Sequence, residues 1–166
     1  MTTTRSNSST RLVSEGVTAG LIGAAVVAGW FLMLDAAQGH IFRTPALLGA
    51  VLLHGLRDVQ ALVLTRGLVF EHTAIHVAAF GTFGLVAAGL LALADREPVM
   101  LVALFMFFCC FEVFAFALIA VLAEWLLEAV PMWSILGANL LAMVSMLGVL
   151  LPRHHVTWQV FVSTAE

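Results

Sequence analysis

Long apolar runs separated by short polar stretches dominate this chain, and four of the runs have the length to cross a bilayer as helices. A crossing helix takes about 20 mostly apolar residues, and the runs at about 17–37, 68–94, 98–123 and 132–151 meet that length. The third opens after Pro98, a residue suited to a first helical turn, and the fourth stops at Pro152. Only Asp95, Arg96 and Glu97 part the second run from the third, which predicts a tight antiparallel pair. The stretch at about 45–64 differs. Thr44 and Pro45 suit a cap and first turn, yet PALLGAVLLHG is too short to cross, and Arg57, Asp58, Gln60 and Arg66 then mix with apolar residues. Such a mixture predicts a helix lying in the interface, or a cap folded over the bundle mouth. His54 and Asp58, four apart, have the spacing for a hydrogen bond on it.

The pattern therefore predicts an all-α polytopic membrane protein. A four-transmembrane-helix bundle occupies residues 16–152, with a short interfacial helix between the first and second spans. A disordered N-terminal tail over residues 1–15 and a C-terminal tail over 153–166 flank it. The Ser/Thr-rich start with Arg5 and Arg11 invites a cleaved-signal reading. The apolar run after it is too long for that, and Asp35-Ala36-Ala37-Gln38 is a poor cleavage site, so a retained anchor is expected.

Composition points the same way. Of 166 residues, 62% are hydrophobic and 10% charged, where a water-soluble domain carries about 25% charged residues. The mean hydropathy is +1.07. The net charge of −3 is spread over ends and loops, so neither nucleic acid nor an anionic-lipid switch is an expected partner. Cys109 and Cys110 are adjacent within an apolar run and suit small core or lipid-facing thiols, not a disulfide framework or zinc ribbon. Four spans put both termini on one side, with Arg5, Arg11, Arg96 and Arg153. Arg43, Arg57 and Arg66 lie on the other side, so the arginine bias makes the termini cytoplasmic. Trp125 and Trp133 then anchor the outer interface.

Small residues mark the packing faces. Gly16, Gly20, Ala24 and Ala28 form a ladder on the first span, and Ala74, Ala78, Gly81, Gly84 and Ala88 form one on the second. Such faces let backbones approach closely, the main source of helix association in lipid. The third span carries Phe105, Phe107, Phe108, Phe111, Phe114 and Phe116 instead, which suit covering lipid and filling gaps between thinner helices.

Against that background, His76, Glu112 and Asn139 are the candidate site. With a rise of about 1.5 Å per residue, each lies about 10 Å inside the outer boundary. Polar groups at such depth usually face a protein interior or a cavity. Nearer the outer surface come Asp35, Glu71, His72, Thr73, Ser134, Glu124 and Glu128. His72 and His76 share a helix face. Glu124 and Glu128 are rotated about 120° and 160° from Glu112, so the three cannot converge on one ion.

Four uses of this level compete. A protonated Glu112 could hydrogen-bond His76 or Asn139 and fix helix register, the leading reading, with no cofactor. A transition metal could take His72, His76, Glu112 and Asp35, although paired bundle-core sites need Glu-x-x-His on two helices and here Glu71 adjoins His72 on one. A b-type haem needs imidazoles on different helices, and His40 and His54 reach in only from a folded loop, with His154 and His155 on the opposite side. A proton or solute path lacks polar residues in the inner half of the bundle and any internal repeat.

The stretches FRTPALLGAVL, HTAIHVAAFGTFG and GANLLAM resemble segments of small four-span bacterial membrane proteins that carry no assigned function. The resemblance implies a bacterial inner-membrane location and nothing about chemistry. The expected function is a non-enzymatic accessory or structural membrane subunit, in contact with lipid and with other membrane subunits or further copies of itself. A metal- or haem-binding redox protein is the alternative, followed by a proton-relay or solute-transport component. No catalytic residue is assigned.

Overall fold

The computed structural model describes residues 3–122 and 130–154, and these are all-helical, without strands. The elements are α1 (Thr3–Ala37), α2 (Arg43–His54), a single 3-10 turn (Val59–Ala61), α3 (Arg66–Ala94), α4 (Met100–Leu122) and α5 (Met132–Leu150), which ends in a 3-10 turn, Leu151–Arg153. Helices α1, α3, α4 and α5 supply four segments long and apolar enough to cross a membrane. Their hydroxyls obey the same solvent logic. Thr18, Thr73, Thr82 and Ser145 sit on exposed faces, and each donates to the carbonyl four residues earlier in its own helix. A hydroxyl satisfied in this way faces hydrocarbon without an unpaired group.

Helix α1 is the centre of the bundle, packed against α3 on one side and α5 on the other. The small-residue faces set the α1–α3 contact. A Cβ on Gly16 would lie 2.7 Å from the Leu85 backbone, and one on Gly20 would strike the Phe80 carbonyl. Ala24 and Gly84 are buried in the same antiparallel register. Gly81 differs from the expectation for it: its own Cβ direction is open, although its Cα backs onto Gly20. The α1–α5 contact uses Gly23, where a Cβ would lie 2.7 Å from the Met146 sulfur, and Trp30, whose ring covers Gly137. Helix α4 leans mainly on α3 through aromatic contacts, with Phe107 stacked on Phe83 at 4.4 Å and Phe111 against Phe83 at 4.3 Å. Phe105 and Phe114 point outward.

Two boundaries differ from the sequence expectation. The first helix begins at Thr3, so the described part of the expected disordered tail is helical. Arg11 and Glu15 hold this extension locally by an i,i+4 pair at 2.9 Å, and Glu15 is buried by distant parts of the chain. Helix α2 starts at Arg43, not at Thr44-Pro45, and Thr44 is no cap. Asp35, near the end of α1, accepts the Thr44 N–H at 2.7 Å and its hydroxyl at 2.6 Å, and so satisfies the first turn of α2 from a distance. The chain returns to it through left-handed backbone at Gly39 and Phe42. Helix α2 then stops at Gly55, also left-handed, before it could pair His54 with Asp58. His54 meets Glu71 of α3 at 2.9 Å instead, and Asp58 caps the 3-10 turn.

Helix α2 closes over one end of the bundle. Gly49 approaches the Leu68 carbonyl of α3, and Leu47 and Val51 cluster with Val130 and Ile135. Losing a side-chain cap typically costs about 1–2 kcal/mol. Asp35→Ala is accordingly expected to lower the unfolding midpoint in detergent and to speed amide exchange in α2 before the long helices. Unchanged exchange in α2 would show that Asp35 does not hold it.

Candidate functional site

The deep polar residues form two groups instead of one. Glu112 of α4 and Asn139 of α5 meet directly, the Asn139 amide donating to Glu112 Oε2 at 2.8 Å. The other carboxyl oxygen, Oε1, is buried and carries no hydrogen bond. Both residues line a cavity of about 200 Å³ among α3, α4 and α5.

His76 does not join them. Its Nε2 lies 3.2 Å from the Ala24 carbonyl of α1. The cause is local: the alanine methyl leaves room for an imidazole to reach the α1 backbone, which the small-residue register places opposite. Phe80 separates the two groups, its ring 4.7 Å from His76 on one side and 6.2 Å from Phe111 on the other. His72 stacks beside His76, centroids 5.6 Å apart and rings inclined by 26°. The two imidazoles line a second cavity, of about 230 Å³, between α1 and α3 and roofed by Thr44, Pro45 and Leu48 of α2. His72 Nδ1 is buried there without a hydrogen-bond partner.

The four residues considered as metal or haem ligands are thus divided among three places. Asp35 is committed to Thr44, Glu112 to Asn139, and His72 and His76 face the second cavity. Among the described residues, no group of three or more His, Cys, Asp or Glu is placed to hold a metal ion. Two imidazoles stacked on one helix face cannot occupy opposite axial positions of one haem iron, and His40 and His54 are exposed at the α2 end. Glu124, Glu128, Trp125 and His155 lie outside the described residues. Trp133 packs edge-on against Trp30 at 6.4 Å and remains largely exposed.

A third polar group, at the opposite end of the bundle, has no counterpart in the sequence reading. His154, just past α5, is buried at 6% exposure, and its Nδ1 lies 2.5 Å from Asp95 Oδ2 at the end of α3. Its Nε2 is 3.6 Å from Glu15 Oε2 on α1, and Arg11 pairs with the other oxygen of Glu15. One buried imidazole therefore joins the ends of three spans. The Arg11–Glu15 spacing was the only local signal, since the remaining partners are distant in sequence.

No protein-family model matches this chain, and no curated protein or solved structure matches it.

Proposed function

We propose that this protein is a non-enzymatic integral membrane protein of the bacterial inner membrane, an accessory or structural subunit with both termini in the cytoplasm. The observation that carries this reading is the use made of its polar side chains. Asp35 ties α1 to α2, His54 pairs with Glu71 of α3, His76 reaches the α1 backbone, Asn139 joins α5 to α4, and His154 joins α5 to α3. Each contact links a different pair of elements, as expected of groups that specify how helices sit together. The outward faces of α4, with Phe105, Val113 and Phe114, are left for lipid or for neighbouring membrane helices, whether a second copy or another subunit.

A second reading, a metal-binding redox protein, is favoured by one feature only: the stacked His72 and His76 over a cavity, with Nδ1 of His72 unpartnered. One preparation distinguishes the two. Interhelical hydrogen bonds in membranes are worth about 0.6 kcal/mol on average and up to about 1.7. His76→Ala and Glu112→Gln are therefore each expected to lower the unfolding midpoint in detergent by a few degrees. Purified protein is expected to carry neither a Soret band nor stoichiometric iron, copper or zinc. A bound metal or haem that His76→Ala removes without loss of stability would replace the structural reading with the redox one.

A further inference from the structure

Where α4 and α5 diverge, the bundle is left open on its flank. The cavity there, about 200 Å³, is walled by the rings of Phe80, Phe83, Phe105, Phe108 and Phe111. Phe105 and Cys109 on its border face outward, so entry is from the bilayer and not from water. Its single ionisable oxygen acid is Glu112, steadied by Asn139, and no Arg or His lines it.

These features select a ligand by charge and by size. The faces of aromatic rings are electronegative and attract cations, most strongly where water is absent. A cation entering this low-dielectric space stabilises the ionised form of Glu112, and the resulting pair attracts far more strongly than it would in water. An anion gains neither, and a neutral apolar molecule gains only the walls. The volume is below the roughly 300–1,000 Å³ of sites for drug-sized molecules, which fits a compact head group. Asn139 engages Oε2 of Glu112, and Oε1, buried without a hydrogen bond, is the oxygen left to face a bound head group.

We propose that this lateral cavity binds small lipophilic organic cations of the quaternary ammonium type, with the charged head held between Glu112 and the phenylalanine rings. The site is additional to the structural role above, and a failure of either leaves the other standing.

The test uses the full chain in nanodiscs of phosphatidylethanolamine and phosphatidylglycerol, which contain no choline head groups to compete. Benzyltrimethylammonium is titrated calorimetrically, with empty discs as background and neopentylbenzene as its uncharged carbon isostere. Saturable one-to-one binding of the cation is expected, and only partitioning of the isostere. Glu112→Gln is expected to weaken cation binding at least tenfold. Cys109→Phe fills the outward-facing border and is expected to abolish binding while leaving the unfolding midpoint within a degree or two. Equal saturable binding of the isostere, or undiminished cation binding by either variant, overturns the proposal. If Glu112→Gln does not fold, Cys109→Phe and the isostere decide it.

Discussion

Leucine in place of His154 is expected to destabilise the protein by about 1–3 kcal/mol, the usual cost of leaving a buried polar group without its hydrogen-bond partner. For a chain of this size the unfolding midpoint in detergent should fall by roughly 5 °C. The physical reason is what stays behind. Glu15 is 6% exposed, and without the imidazole its carboxyl keeps, among the described residues, the pair with Arg11, while Asp95 loses a hydrogen bond of 2.5 Å. Two further variants locate the effect. Arg11→Ala removes a side chain that is 70% exposed, so it should cost no more than about 1 kcal/mol. Adding Glu15→Gln to His154→Leu should recover part of the loss, because it removes one of the stranded charges. Thermal scans of helical ellipticity measure all three. A His154→Leu midpoint equal to that of the parent would show that the network does not hold the span ends together.

The reason this network escaped a sequence reading is also the reason the spans did not. Hydrocarbon imposes an apolar length on every crossing helix, and that demand is written locally, so all four spans and the too-short α2 are visible as runs. A contact among Glu15, Asp95 and His154 depends on where three span ends arrive, and no local pattern encodes that. The Ser/Thr-rich start looks like a tail for the same reason: its apolar content is low, and Glu15 is buried by residues far along the chain. The common level of Glu112 and Asn139 is readable from the helical rise, and the two do meet. Azimuth was not. Helix rotation is set by packing, and the α1–α3 register turns His76 toward the Ala24 carbonyl and away from Glu112. Asp35 presents another form of the limit. A carboxylate beside the membrane reads as a potential ligand until a turn with two left-handed residues brings Thr44 back onto it.

Two alanine substitutions one turn apart on α3 should separate sharply, Gly84→Ala being damaging and Gly81→Ala harmless. Both gain helix propensity, about 1 kcal/mol each. At Gly84 the added methyl would strike the Gly16 carbonyl and lie 2.6 Å from the Gly20 nitrogen. These are backbone atoms of a neighbouring helix, so no rotamer change relieves the clash and α1 must move away from α3. Overpacking of this kind costs about 1–3 kcal/mol, and separation also weakens the His76 contact with the Ala24 carbonyl and the close packing at Gly16 and Gly20. At Gly81 nothing lies within 4 Å of the new methyl, so the propensity gain stands unopposed. The expected order of unfolding midpoints in detergent is Gly81→Ala at or slightly above the parent, and Gly84→Ala several degrees below it. Gly20→Ala should fall with Gly84→Ala, since its methyl meets the Phe80 carbonyl across the same seam. The reverse order would mean that the two helices meet in a different register, and the placement of His76 would change with it.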